Sequence, residues 1–489
     1  MKPVKIFELS GEKWREGMSL QSASVAGGLF SATSNFDPFE ITGMMQPSLA
    51  SAVASDLTIT TTPIVLTPFS TSGSPKVFAH SASKLYQVLD GTPWTTTDKT
   101  ASVTITNGVR GAIIYKGRYV YSLDNQVRSI TTAATGDVQI LNGTASDGIW
   151  HPMCVGADKN LYHADYSTIN KITSVTGTAG NSASVVNLEE GMYVRHMVND
   201  GRYLVILADN NPTGDYNVAG GSPTVPTPIA GNYRCQVLYW DLVKTSFDQI
   251  FEFNDSYLIG GAILDDAIYV FSGNGIYVTS IGTKPKQIFS FKTGSTITEK
   301  PQNPFQITSN KNSIYWCGQS NGTVYAYGSL FPGMKKVFYQ PFASGYTNSA
   351  ITNNGTNFYI GTSGNDNFLR VTGTGSTRNT GSISTAPIIT PQPFKFHHIK
   401  AVMQNVLASG DSIDCYMNTQ AGNKVITNSN AKTFANIGAK QSVIFDLTPA
   451  GSGLDVDYFN DFQLTVASNK AVAKVEVWAT PQDSYSQIE

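Results

Sequence analysis

Charge is what this chain has least of. Asp, Glu, Lys and Arg make up 14% of its 489 residues, against about 25% in an ordinary soluble domain. The net charge is −2, so nothing draws the chain toward nucleic acid or an anionic membrane surface. Cysteine is scarce as well. Cys154, Cys235, Cys317 and Cys415 stand far apart, form no CxxC pair and match no metal spacing. Three of them fall on apparent strands of different repeats, which predicts buried thiols rather than a disulfide framework. No apolar run approaches the roughly 18 residues of a membrane-spanning helix, so no membrane insertion is expected. Met1-Lys2-Pro3-Val4-Lys5 leads to Glu8 without an apolar region, which argues against a cleaved signal peptide. An amphipathic helix of useful length is missing too.

Thr, Ser and Asn fill the gap, together with 44 Gly and 22 Pro. These residues supply turn geometry, and their abundance predicts an all-β protein with many tight turns. Few charges also suit surfaces buried in an assembly, because interface cores are depleted of charge.

A short motif recurs through the chain: a turn, an apolar residue, then usually tyrosine. Its copies end at Tyr86, Tyr121, Tyr162, Val205, Tyr269, Tyr315 and Tyr359, with spacings of 35, 41, 43, 64, 46 and 44 residues. A period in the low forties with several short strands per unit predicts a β-propeller of about seven blades. Each copy after the first has a partner strand downstream, from Gln126-Val127-Arg128-Ser129-Ile130 to Asn367-Phe368-Leu369-Arg370-Val371. Preceding apolar strands recur, as in Gly111-Ala112-Ile113-Ile114-Tyr115. One blade cannot bury both faces, so the repeats must stack and close. The tyrosines sit at equivalent strand positions, which predicts core between blades more than a binding surface.

The expected domains are an extended N-terminal arm at 1–56, a propeller at 57–380 and a β-sandwich at 381–489. Residues 1–56 show no strand alternation, yet carry Phe7, Trp14, Phe30, Phe36 and Phe39. Such aromatics are rare in a solvated tail, so the arm is expected to pack on a neighbouring subunit or on the chain's own body. Leu57-Thr58-Ile59-Thr60 and Pro63-Ile64-Val65-Leu66 read as strands that could close the ring. The long fourth spacing comes from an insertion between Asp209 and Arg234, rich in Gly and Pro; loops of this length are functional or disordered. Beyond Pro393 come five strands, and Val472 to Trp478 alternate most cleanly. Val472, Lys474, Glu476 and Trp478 should share one face, with Ala473, Val475 and Val477 on the other.

Candidate chemistry is sparse, and no catalytic, cofactor or metal residues are assigned. Glu189-Glu190, Asp265-Asp266 and the pair Asp455 and Asp457 are the best carboxylate pairs, but adjacent acids on turns are usually solvated. His397 and His398 are neighbours on a strand, so they point to opposite faces and cannot readily share an ion. Ser146-Asp147-Gly148-Ile149-Trp150 approaches a sialidase Asp-box turn with the wrong spacing. Asn142-Gly143-Thr144, Asn321-Gly322-Thr323 and Asn354-Gly355-Thr356 match glycosylation acceptors formally, but each falls at an expected hairpin turn.

The leader contains Asn35-Phe36-Asp37-Pro38-Phe39-Glu40-Ile41-Thr42-Gly43. With the uncharged Thr/Asn-rich propeller and terminal sandwich that follow it, the chain resembles virion structural proteins of tailed bacteriophages, particularly propeller-bearing tail or neck components. The resemblance implies a non-enzymatic structural or attachment protein. Its partners would be other virion proteins, copies of itself in a homo-oligomeric ring, and a host surface glycan. Two other readings stand beside it: a glycan-binding propeller that uses the insertion, and a hydrolase that uses carboxylates in the propeller channel.

Overall fold

The computed structural model describes residues 2–10, 30–37, 44–47, 51–53, 59–71, 74–91, 94–105, 108–144, 149–211, 233–291, 299–310, 312–318, 322–329, 336–343, 347–355, 357–363, 367–372, 378–385, 392–419, 422–424, 432–446, 456–457 and 459–482. The fold is all-β, and contacts divide the chain into two compact units. One holds Ser51–Thr323 and Ser344–Val371; the other holds Met1–Ala50, Val324–Ala343 and Thr372–Glu489. The division expected from the sequence, at 56 and 380, differs because the leader's first strands join the C-terminal sheets.

The N-terminal segment runs through β1 (Val4–Ser10), β2 (Phe30–Ser34), β3 (Phe36–Asp37), β4 (Gln46–Pro47) and β5 (Ser51–Val53). Seven four-stranded antiparallel sheets then make the blades of a propeller. The first is β6 (Val65–Thr71), β7 (Ser74–His80), β8 (Leu85–Leu89) and β9 (Thr95–Asp98). Blade two is β10 (Gly111–Tyr115), β11 (Arg118–Leu123), β12 (Asn125–Thr131) and β13 (Val138–Thr144). Blade three follows with β14 (Met153–Val155), β15 (Leu161–Asp165), β16 (Thr168–Ile172) and β17 (Ser182–Asn187). The fourth is β18 (Tyr193–Asn199), β19 (Leu204–Asp209), β20 (Cys235–Trp240) and β21 (Gln249–Phe253). The fifth is β22 (Leu258–Leu264), β23 (Ala267–Ser272), β24 (Gly275–Ser280) and β25 (Thr283–Ser290). In the sixth, the order is β26 (Ile307–Ser309), β27 (Ser313–Cys317), β28 (Thr323–Ser329) and β29 (Lys336–Ala343). The seventh is β30 (Thr347–Asn353), β31 (Asn357–Ser363) and β32 (Phe368–Thr372), completed by β5.

The first strand of each blade is the innermost. β6, β10, β14, β18, β22, β26 and β30 each lie against the next, and β30 returns to β6, so the ring closes within the first unit. Closure comes from the N-terminal side, but not from the residues the sequence suggests. Ser51–Val53 pairs with β32, Val53 opposite Leu369 and Ser51 opposite Val371. Val65 and Leu66 instead open the innermost strand of blade one. Ile59 is buried outside any strand, and Leu57 and Thr58 lie outside the described residues.

Tyr121, Tyr162, Tyr269, Tyr315 and Tyr359 all stand on the second strand of their blades and are buried. Tyr86 is out of register, on the third strand of blade one. That explains the short first spacing. The strand equivalent to the others is β7, which carries Phe78 in place of a tyrosine. Three of the hydroxyls reach carboxylates: Tyr121 bonds Asp137 at 2.7 Å, Tyr162 bonds Asp158 at 2.8 Å and Tyr359 bonds Asp90 at 2.6 Å. A buried phenol needs such a partner. The ring therefore supplies packing area and the hydroxyl fixes its orientation.

In the second unit, a five-stranded sheet runs β1, β41 (Val472–Pro481), β34 (Phe394–Met403), β38 (Ser442–Asp446), with β39 (Val456–Asp457) also on β34. A six-stranded sheet runs β2, β33 (Gly381–Thr385), β40 (Phe459–Ala467), β35 (Ser412–Thr419), β36 (Gly422–Lys424), with β37 (Lys432–Thr433) on β35. Phe7 of one sheet meets Phe462 of the other edge to face at 5.7 Å. So the part of the leader that is described packs on the chain's own body. Phe36 is fully buried there, while Trp14, Phe39 and residues 38–43 lie outside the described residues.

The expected alternation in β41 breaks at its start. Val402 faces Lys474 while Met403 faces Val472, which leaves Ala473 as the extra residue of a bulge. Val472 is thereby buried like Val475 and Val477, not set out with Lys474.

Candidate functional site

The innermost strands all start at one end of the ring. The second strand of each blade finishes at that same end, so a residue opening the first strand meets one closing the second. Blades two, three and four fill this corner in the same way. Arg110 bonds Asp124 through Nε at 2.8 Å and Nη2 at 3.2 Å. His151 Nε2 lies 3.9 Å from Asp165. Arg195 Nη2 bonds Asp209 at 2.6 Å. Each pair is separated by 14 residues, the length of one hairpin (124 − 110, 165 − 151, 209 − 195). The two Arg–Asp pairs are almost wholly buried. Burial pushes the Asp209 carboxyl up, against the pull of the Arg195 guanidinium and of the Leu258 and Asn211 amides.

Between blades two and three the polar groups form a chain. Asn170 Nδ2 donates to His163 Nδ1 at 3.2 Å. His163 must then carry its proton on Nε2, 3.0 Å from Ser122 Oγ. Ser122 Oγ also lies 2.6 Å from His151 Nδ1, and His151 Nε2 faces Asp165. Ser122, His151 and Asp165 are thus the residue types of a hydrolytic triad in the usual order. They do not make one. Ser122, His151 and His163 are fully buried, and a nucleophile has to be reached by its substrate. Burial, with His151 beside it, holds His163 well below the ordinary histidine range. This is a buried hydrogen-bonded network that satisfies an interface, as buried polar groups must be satisfied.

The axis is filled at this end. Trp150 precedes β14 of blade three, and Phe305 precedes β26 of blade six. Their rings meet edge to face at 5.0 Å. Ile64, just ahead of β6 in blade one, packs on the same tryptophan. Blades one, three and six are not neighbours, so these contacts cross the axis.

The sequence candidates fall elsewhere. Glu189 and Glu190 are exposed on a turn. Asp265 and Asp266 form the β22–β23 turn with φ of 50° and 59°, a mirror-type hairpin geometry that suits these residues. Asp455 lies outside the described residues, as do the side chain of Asp457, Ser146–Gly148, Asn321 and residues 212–232 of the insertion. His397 sits at a bulge and meets Thr480 Oγ1 at 2.8 Å, while His398 stacks on Trp478. Asn142 is exposed on the outer strand of blade two. Asn354 donates to the Tyr359 hydroxyl at 2.9 Å and accepts from the Asn357 amide at 2.8 Å. All four cysteines are free, and three are buried. Among the described residues no group of three or more His, Cys, Asp or Glu is placed to hold a metal ion. No helix there is long and apolar enough to cross a membrane.

The buried pairs escaped the sequence reading. A basic residue 14 positions before Asp was visible at 110, 151 and 195, but it has meaning only once the strands are in register.

No family model and no curated protein matches the chain. Similar solved structures include a catalytically inactive virginiamycin B lyase from Staphylococcus aureus with quinupristin: 13% identity, TM-score 0.45, covering 66% of this chain and 98% of that one. The WD40 β-propeller domain of Doa1 has 11% identity and a TM-score of 0.42, covering 66% of this chain and 96% of that one. BamB from Moraxella catarrhalis has 13% identity and a TM-score of 0.37, with 66% and 98% covered.

Proposed function

We propose that this chain is a non-enzymatic structural component of a tailed-phage virion, in which the propeller is a rigid platform for other virion proteins. The filled end of the axis carries the reading. Trp150, Phe305 and Ile64 close one end of the axis, and the buried Arg–Asp pairs of blades two and four are spent on one another. A rigid closed ring is what a platform requires, and the leader and domain order resemble those of propeller-bearing tail or neck proteins. Electron microscopy of particles, with antibody against this chain, tests the proposal. Labelling at a fixed position on the tail or neck is expected. Turnover of surface polysaccharides by the purified chain, or its absence from particles, overturns the proposal.

A second reading, glycan binding, draws on the insertion in blade four. Its stem is anchored: the Arg234 amide donates to Asn210 Oδ1 at 2.8 Å, and Asn211 Nδ2 donates to the Ser256 carbonyl at 2.7 Å. A glycan array run with the full chain and with a chain lacking 213–231 tests it. Saturable binding lost with the loop supports it, and equal signals from both chains discard it.

A further inference from the structure

The two edges of the five-stranded sheet are built differently. At one edge, β1 carries Lys5 and Glu8, follows Pro3 and is interrupted by a bulge between Lys5 and Phe7. Charges, proline and bulges are the devices that keep an edge strand from pairing with another chain. At the other edge, β38 has almost none of them. Ser442-Val443-Ile444-Phe445-Asp446 pairs with β34 in unbroken register, from His398 opposite Asp446 to Val402 opposite Ser442. Its single charge is at its end. Among the described residues no strand lies on its far side. Val443 and Phe445 point into the core, while Ile444 points outward and is 48% exposed.

We infer that β38 is an interaction edge, and that its occupant is β38 of a second copy of this chain, paired antiparallel about Ile444. The sequence of the strand is self-complementary in that register. Ile444 would face Ile444 of the second copy. Val443 would face Phe445, which continues the buried face across the junction. Ser442 would face Asp446, a hydroxyl donor opposite a carboxylate. No like charges meet, and the two Val443–Phe445 pairs are aromatic against β-branched, a favourable cross-strand type. Such a two-fold contact is isologous and closes at two copies. It is independent of the virion reading.

Sedimentation velocity of the full chain over a concentration series tests the inference. The wild type should pass from one to two copies as concentration rises. Ile444→Lys should remain at one copy, with unchanged circular dichroism and melting. As a second arm, Ile444→Cys should give a species of twice the mass on a non-reducing gel after mild oxidation, and Lys5→Cys on the protected edge should not. A wild type that stays monomeric at every concentration, a dimer that Ile444→Lys leaves intact, or Ile444→Cys that does not cross-link overturns the inference.

Discussion

Between the second and third blades the backbone carries on from β13 to β14, whereas blade seven is assembled from two stretches: β5 runs on to β6 of blade one, but β30–β32 come from the far end of the propeller and meet β5 and blade one without a direct connection. The two interfaces are furnished accordingly. The first holds a polar chain, Asn170–His163–Ser122–His151, beside an apolar cluster that includes Val120, Val127, Leu161 and Ile172. The seam holds a charged clasp. Asp90 of blade one accepts from Tyr359 at 2.6 Å and Asn357 at 2.7 Å, and it pairs with Arg370, all from blade seven. The Arg370 guanidinium lies 3.9 Å over the ring of Trp94. Behind the clasp, Ile59, Leu66, Val77 and Tyr86 pack with Ala350, Tyr359 and Phe368. Where one blade runs straight on into the next, hydrogen bonds among histidines and Ser122 join them. Where β30–β32 of blade seven meet blade one without a direct connection, charge-assisted bonds hold them, and these are roughly twice as strong as neutral ones.

The largest effect should come from breaking the clasp. Asp90→Ala leaves Arg370 partly buried without its carboxylate, an arrangement that costs about 3–5 kcal/mol. A melting experiment should record that loss. Hydrogen exchange should rise first in blades one and seven; a uniform rise around the ring would contradict the role of the seam.

Acid should reverse the order of weakness. Burial lowers His80 to about 3 and His196 to about 4. His163 is held low as well. Histidines with depressed folded pKa values contribute stability that is fully present above the unfolded pKa, near 6.5, and is lost as pH falls toward the folded value. At pH 5 His80 and His196 should each cost about 2 kcal/mol. His80 bonds Tyr119 across blades one and two, and His196 accepts from the Gly261 amide across blades four and five. No histidine belongs to the clasp. Exchange measured at pH 7 and pH 5 should therefore rise at those interfaces and stay unchanged at the seam. His196→Gln should flatten part of the pH dependence of melting.

Smaller effects complete the series. Ser122→Ala strips the hydroxyl between His163 and His151, and should cost about 1–2 kcal/mol. Tyr359→Phe, which leaves Asp90 two other donors, should cost about 1 kcal/mol or less. Thermal melts of both variants, with Ser122→Ala the lower, check the ranking.

Much of this fold was legible, because a blade repeats its pattern every forty-odd residues and its tyrosines mark the second strand. The exceptions have local causes. Tyr86 mimics the motif on a third strand, since Leu85-Tyr86 fills the same kind of buried position. Residues 51–53 supply only three residues to the closing sheet, too few for alternation to show. β1 has a bulge that hides its period, so Phe7 looked like an anchor of an arm and not like a member of a sheet. The site was far less legible. His151 and Asp165 acquire their meaning from Ser122, which a different blade contributes. Trp150 and Phe305 are 155 residues apart (305 − 150), and no local pattern brings them to one axis.

The closing strand sets a condition on synthesis. Ser51 pairs with Val371, and Leu9 in the other unit pairs with Val475. At roughly 5–20 residues per second, residues 51–53 leave the ribosome some 15 to 60 seconds before β32 exists to receive them. Each unit thus stays an open sheet, with a bare edge, until its last strands arrive. The chain must keep Ser51 unpaired while the 320 residues up to Val371 are made (371 − 51), and Leu9 for longer still.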